Sequence, residues 1–129
     1  MNINLAIIQG AKVLKDNFIN NPYLDSEILM AKVVEKDRKY VLLNSNRFLD
    51  SNDLDSFQKL IKKRSKGKPI AYLTNKKFFW DSEFVVSSDT LIPRPDTELI
   101  VDKVLELTAH KKKINILEIG IGTGCILLS

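Results

Sequence analysis

Three of the chain's five glycines, Gly120, Gly122 and Gly124, fall within five residues, directly after the run Ile114-Asn115-Ile116-Leu117-Glu118-Ile119. No other feature restricts the fold as strongly. The run reads as a short buried strand, the glycines allow a sharp turn at its end, and Cys125-Ile126-Leu127-Leu128-Ser129 reads as the first turn of a helix. Strand, glycine turn and helix open a βαβ unit, whose first strand needs parallel neighbours on its edges. No further strand of that type follows within the 129 residues. The chain is therefore expected to be the N-terminal piece of a longer protein, cut inside an α/β domain. Residues 114–119 are expected to be poorly ordered, or to pair with an edge in another copy.

The spacing of the glycines bears on what the loop can bind. A dinucleotide loop, G-x-G-x-x-G/A, would need its third small residue at position 125, which is Cys125. A P-loop is excluded, since no Gly-Lys-Ser/Thr follows. The observed G-x-G-x-G, with Glu118 at the strand end, suits S-adenosylmethionine, whose ammonium and sulfonium cations are complemented by loop carbonyls and a carboxylate. A glycine turn with no ligand is the alternative. Cys125 reads as a small packing residue, with no base placed to activate it, and His110, beside three lysines, as a surface residue.

The first half of the chain is patterned for helices. Ile3, Ile7, Ala11, Leu14 and Phe18 recur at helical spacing before the Asn20-Asn21-Pro22 break. Asn21 as cap and Pro22 as first residue open a second helix, with Leu24, Ile28, Ala31 and Val34 on one face. A short third helix is predicted over 38–43. A fourth starts at Ser51 with Leu54, Phe57, Leu60 and Ile61, and ends among Lys59, Lys62, Lys63, Arg64, Lys66 and Lys68. Such segments are unstable singly and predict a small bundle. After Gly67 the pattern changes. Phe78-Phe79-Trp80 and Phe84-Val85-Val86, split by Asp81-Ser82-Glu83, predict a hairpin or meander. Pro95, Asp96 and Glu98 then open a helix running through Ile100, Val104 and Leu107.

Composition removes several classes. With 44% hydrophobic and 28% charged residues the chain is not disordered as a whole. One cysteine cannot build a disulfide framework or a Cys-based zinc site, and no metal site is expected. The N-terminus lacks a secretory signal, and no run approaches the ~18 apolar residues of a membrane span. The chain is expected to be cytoplasmic and to have no membrane partner. A net charge of +4 is concentrated in the cations of 59–68. That cluster reads first as a solvated helix end favoured by the dipole, and second as a patch for RNA or an acidic protein face.

Several motifs together resemble one family. Gly67-x-Pro69-Ile70-Ala71-Tyr72-Leu73-Thr74, Phe79-Trp80, Thr90-Leu91-Ile92-Pro93-Arg94-Pro95-Asp96-Thr97-Glu98 and Glu118-x-Gly120-x-Gly122-x-Gly124 are similar to those of the bacterial release factor glutamine methyltransferases, the protein-(glutamine-N5) or HemK family. Asp25-Ser26-Glu27-Ile28-Leu29 and Lys63-Arg64 resemble that family's helical N-terminal domain. The resemblance covers nearly the whole chain and is strongest over 91–98. It implies an N-terminal α-helical bundle for substrate docking (1–68), a β-hairpin linker (69–90), and the truncated start of a Rossmann-like α/β class I methyltransferase domain (91–129).

The implied activity is methyl transfer from S-adenosylmethionine to the side-chain amide of the glutamine in the Gly-Gly-Gln motif of peptide-chain release factors. By position, Gly120, Ile121, Gly122, Thr123 and Gly124 resemble the cofactor loop and Glu118 its acid, while Arg94 and Thr97 lie in a signature bordering the cofactor pocket. Two positions depart from the family pattern: Asn75 stands where Gly is usual and Phe78 where an acid is common. Asn tolerates the left-handed backbone that the turn requires. The family's Asn-Pro-Pro-Tyr active-site segment does not occur in these 129 residues, so no catalytic residue is assigned and the chain alone is expected to be inactive. Two alternatives stay open. One is a related class I enzyme acting on a nucleic-acid amino group, as adenine-N6 enzymes do, although direct nucleic-acid binding is not expected. The other is a non-enzymatic module binding release factors or ribosomes.

Overall fold

A computed structural model describes residues 1–129, which divide into two compact units, Met1–Thr74 and Asn75–Ser129. The first is helical. Helix α1 (Ile3–Asp16) begins at Asn2, whose side chain accepts from the Leu5 N–H at 2.9 Å, satisfying one of the free donors at a helix start. Its buried residues are Ile3, Ala6, Ile7, Gly10, Ala11 and Leu14. The expected stripe therefore holds as far as Leu14. Phe18 lies beyond the helix end at φ +60 and is 93% exposed, because the chain turns out of the helix at Asn17.

Helix α2 (Pro22–Val33) buries Asp25, Ser26, Leu29, Met30 and Ala31; of the face expected from Leu24, Ile28, Ala31 and Val34, Ala31 is buried, Ile28 and Val34 are half-buried and Leu24 is exposed. The reason is that α2 packs against α1, α4 and the two short helices α3 (Arg38–Leu43) and α5 (Ile70–Thr74), so more than one side is covered. Two polar residues enter the interior with their hydrogen bonds made. Ser26 Oγ donates to the Ile7 carbonyl of α1 at 2.9 Å, and Asp25 accepts from Arg64. Asn21 occupies the N-cap position of α2, yet its side chain makes no capping bond. Helix α4 (Ser51–Ser65) is capped by Asp50, one residue before the expected start, through its bond to the Asp53 N–H.

The core of this unit comprises Ile3, Ile7, Leu14, Leu29, Met30, Val41, Phe57, Ile61 and Leu73 among others. At α1's start, Ile3 N donates to the Arg47 carbonyl and Leu49 N to the Met1 carbonyl, binding the N-terminus to the connection before α4. Helix α5 contributes Leu73 to the core and packs on α2 and α4. The division after residue 68 that the resemblance implies and the break in the fold after Thr74 differ by this helix. Its Pro69-Ile70-Ala71-Tyr72-Leu73 sequence reads locally as a lead-in to the hairpin, and only the bundle surface gives its apolar residues a place to pack.

The second unit carries a single two-stranded antiparallel sheet. Strands β1 (Lys76–Phe79) and β2 (Ser82–Val85) pair in the register Phe79↔Ser82, Phe78↔Glu83, Lys77↔Phe84 and Lys76↔Val85. Period-two alternation places Phe79 and Phe84 on one face, where their rings meet edge to face at 6.3 Å. With Val101 and Cys125 they form a second small core, joined by Trp80 and Ile126. Asn75 stands at φ +61, the left-handed conformation that Asn tolerates. A 3-10 turn (Pro95–Thr97) leads into helix α6 (Glu98–Thr108), whose buried residue is Val101. Ile100 and Leu107, expected on the inner face, are half or more exposed.

Residues 114–119 form no strand. The only sheet is the β1–β2 hairpin, and no neighbour supplies the ladder of hydrogen bonds that a strand needs. Leu117 and Ile119 are 87% and 90% exposed. The Rossmann-type strand inferred from this run is thus not formed.

Candidate cofactor loop

The glycine loop leads into the short helix α7 (Cys125–Leu128). Gly120, Gly122 and Gly124 have φ of +77, +55 and +77, so all three take the left-handed region that other residues enter only with strain. Space is not the constraint at the first two, whereas a Cβ at Gly124 would lie 3.2 Å from Leu128 Cδ1. A Cβ at Gly120 would meet nothing within 4 Å, and one at Gly122 only a carbonyl oxygen at 3.9 Å. Gly120 and Gly122 serve the turn itself and are exposed, while Gly124 is buried where the loop meets α7. Gly124 N donates to the Ile121 carbonyl at 2.8 Å, which tightens the loop before α7 begins.

The loop is anchored from below by Cys125, which is buried against Phe79, Phe84 and Val101 and acts as the packing residue expected. Above it, Glu118 points inward. Its Oε2 is buried and has no hydrogen-bond partner. A carboxylate oxygen held away from water without a donor is costly, and a cation or N–H group brought to it would relieve that cost. Glu118 shares an apolar hollow of about 380 Å³ with Val104, Ile116, Ile126 and Leu127. An acid in an apolar wall is an arrangement for a ligand with both positive charge and an apolar body, but none of residues 120–124 lines this hollow, and the Ile121 and Gly124 carbonyls already accept backbone hydrogen bonds.

Arg94 and Thr97 lie on the 3-10 turn that opens α6. Arg94 is exposed and makes no hydrogen bond or ion pair through its side chain, and Thr97 is half-buried with its N–H donating to the Arg94 carbonyl. No hydrogen bond joins either residue to the glycine loop. The signature has a second role that sequence reasoning missed. Glu98 Oε1 accepts from the Trp80 N–H at 2.8 Å, tying the hairpin turn to the start of α6. Trp80 sits at φ +57, strained for a bulky residue, and this bond helps hold it there. An acid three residues after a proline looks like a helix-start preference, so nothing local marks Glu98 as a long-range acceptor. His110 is exposed, and no group of three or more His, Cys, Asp or Glu side chains is placed to hold a metal ion.

A family profile for the PrmC N-terminal domain matches residues 6–74, almost the whole helical unit. Release factor glutamine methyltransferase of Buchnera aphidicola subsp. Schizaphis graminum is 38% identical over 100% of this chain and 46% of its own length. The enzyme of the same name from Pasteurella multocida is 38% identical over 91% of the chain and 43% of its own length. A bifunctional methyltransferase of Rickettsia bellii is 33% identical over 94% of the chain and 26% of its own length. The chain thus spans less than half the length of these curated relatives, and no helix in it is long and apolar enough to cross a membrane. With a bundle that matches the PrmC N-terminal domain and relatives that align over 91–100% of it, the chain belongs to the release factor glutamine methyltransferase family, carrying its N-terminal portion.

Proposed function

We propose that this chain is the N-terminal part of an enzyme that moves a methyl group from S-adenosylmethionine to the glutamine side-chain amide (N5) of the Gly-Gly-Gln motif in peptide-chain release factors, in the cytoplasm. The observation that carries the reading is the loop of three left-handed glycines beside the unpartnered, buried Glu118 Oε2. The buried carboxylate of Glu118 fits a cationic ligand, which would supply the charge partner that Oε2 lacks. In this proposal Gly120, Ile121, Gly122, Thr123 and Gly124 hold S-adenosylmethionine with Glu118, and Arg94 and Thr97 border the same pocket. When bound, that cofactor supplies a methyl group made electrophilic by its sulfonium.

The chain's own residues bind and orient. Glu118 offsets the ligand's charge, the bare glycines let backbone and ligand approach, and the helical unit docks the release factor. Positioning of a weakly nucleophilic amide is the main task of such a site. The Asn-Pro-Pro-Tyr segment that performs it in the family is absent from these 129 residues, so the chain alone is expected to give no turnover.

The test is methyl transfer from labelled S-adenosylmethionine by the longer parent protein, with a purified release factor, RNA and DNA offered side by side. Label on the release factor supports the proposal. Label on a nucleic acid would replace it with the amino-group alternative. No label on any acceptor, from a parent lacking the Asn-Pro-Pro-Tyr segment, would favour a non-enzymatic interaction module.

A further inference from the structure

The helical unit carries a surface groove whose floor is formed by the core residues Ala6, Phe57 and Ile61. It runs along the seam of α1 and α4, bounded by Gln9 and Val13 on one side and by Leu54, Gln58, Ile61 and Lys62 on the other, with a volume of about 280 Å³. Gly10 lies at its floor, where the missing side chain lets the two helices approach. Gln9, Val13, Gln58 and Lys62 are exposed, so the groove opens to solvent along its length. The lining positions on α4 span Leu54 to Ser65, about 16 Å at 1.5 Å per residue. That is a straight trough between two helices, the shape into which the apolar ridge of a third helix packs.

Its charge is one-sided at one end. Lys62 is on the wall, and Lys66 lies one turn further along the same face of α4 and its C-cap; neither forms an ion pair. Of the other cations nearby, Arg64 is held by Asp25 at 2.7 Å and Lys59 makes an exposed pair with Asp55 at 2.6 Å, while Lys63 and Lys68 are exposed without an ion pair and add to the positive charge of this helix end. An apolar trough with two uncommitted lysines at one end matches an amphipathic helix whose apolar face is flanked by carboxylates.

We propose that the α1–α4 groove is the docking site for such an acidic amphipathic helix of a protein partner. The proposal rests on the reading of the helical unit as the part that docks the substrate protein, and it assigns the surface and the chemistry. The cation cluster that composition left between a solvated helix end and a partner site divides accordingly. Arg64 is structural through its largely buried pair with Asp25, Lys62 and Lys66 face the partner, and Lys59, Lys63 and Lys68 stay in solvent outside the groove lining.

The probe is a fluorescent, hydrocarbon-stapled helix about 16 residues long, with leucines at i, i+3, i+4 and i+7 and glutamates flanking them. The comparison helix carries lysines in place of the glutamates. Binding to the 129-residue chain is read by anisotropy. The glutamate helix is expected to bind at least about tenfold tighter than the lysine helix. The double variant Lys62→Glu/Lys66→Glu should weaken it about tenfold, and Val13→Asp, a solvent-exposed wall position, should weaken both helices. Circular dichroism checks that each variant keeps its helices. Equal affinity for the two helices, or affinity unmoved by these substitutions, would overturn the proposal. So would lysine-dependent binding of an RNA oligonucleotide without binding of the glutamate helix.

The parent protein separates this proposal from the reading beneath it. The lysine variants should raise KM for a release factor with little change in kcat. Unchanged KM in a parent that does methylate the release factor would defeat the groove alone. A parent that methylates no release factor, while the chain still binds the glutamate helix, would defeat the functional reading and leave the groove standing.

Discussion

Gly10 sits where α1, α2 and α4 converge, and two opposed effects meet in it. Replacing an interior helical glycine with alanine ordinarily favours the helix by about 1 kcal/mol. Here the added Cβ would lie 2.7 Å from Ser26 Oγ and 2.9 Å from both Ile61 Cδ1 and Phe57 Cζ. Ser26 cannot simply turn away, since its hydroxyl holds the Ile7 carbonyl. Overpacking of this kind costs about 1–3 kcal/mol, so crowding wins. Gly10→Ala should therefore lower the stability of the helical unit in urea unfolding, and a gain in stability would contradict the packing described. The Arg64–Asp25 pair gives a second residue-scale prediction. Both side chains are largely buried, and Arg64 Nη1 also donates to the Lys68 carbonyl at 3.1 Å. Arg64→Ala strands a buried carboxylate and should cost about 1–3 kcal/mol in the same assay, whereas Lys63→Ala at the adjacent exposed position should cost nothing measurable. At this scale the sequence was least legible. Asp25 and Ser26 look like surface residues until α4 and α1 bring them partners, and Gly10 looks like an ordinary break in helix propensity.

Among the elements, legibility followed how local the causes were. Helices α1, α3 and α4 were readable from apolar spacing and short polar starts, because their boundaries are decided within a few residues. The hairpin was readable from its aromatic and β-branched runs. The face of α2 was readable only in part, since its burial comes from several neighbours at once and adds Asp25, Ser26, Leu29 and Met30 to Ala31. Helix α5 and the unformed strand at 114–119 show the same limit from opposite sides. The first is held by a bundle surface distant in sequence, and the second lacks the neighbours that its own residues presuppose. The hairpin turn has a cause that lies 18 residues away in Glu98. Glu98→Ala should raise the exchange rate of the Trp80 amide about tenfold or more, a loss of about 1.4 kcal/mol or more in local protection. Glu98→Gln keeps an oxygen acceptor and should exchange more slowly than Glu98→Ala. An unchanged Trp80 rate in Glu98→Ala would show that the hairpin turn does not depend on this bond.

Across the whole molecule, the two units differ in how completely they bury their apolar residues. The helical unit encloses a continuous core from Ile3 to Leu73, and residues 1–74 are expected to fold alone with a cooperative thermal transition. A non-cooperative melt of that segment would argue that its core needs more of the chain. The second unit leaves Leu117, Ile119 and Leu128 largely exposed around the glycine loop. Its conformation is set by three left-handed glycines, so the candidate site was legible as a motif, while the burial of Glu118 Oε2 was not. A strand-end acid reads the same in sequence whether it faces water or an apolar hollow.

The central claim is that this loop serves a methyl donor in an enzyme acting on release factors. The most direct measurement is mass spectrometry of a release factor incubated with the longer parent protein and isotope-labelled S-adenosylmethionine, using the native loop and Gly122→Ala. Alanine at φ +55 strains the turn without filling space that the fold uses, so folding should be disturbed little. The account predicts one labelled methyl on the side-chain amide of the Gly-Gly-Gln glutamine with the native loop, and at least about tenfold slower labelling with Gly122→Ala at limiting cofactor. Full labelling by Gly122→Ala, or no label on that glutamine from the native parent, would contradict it.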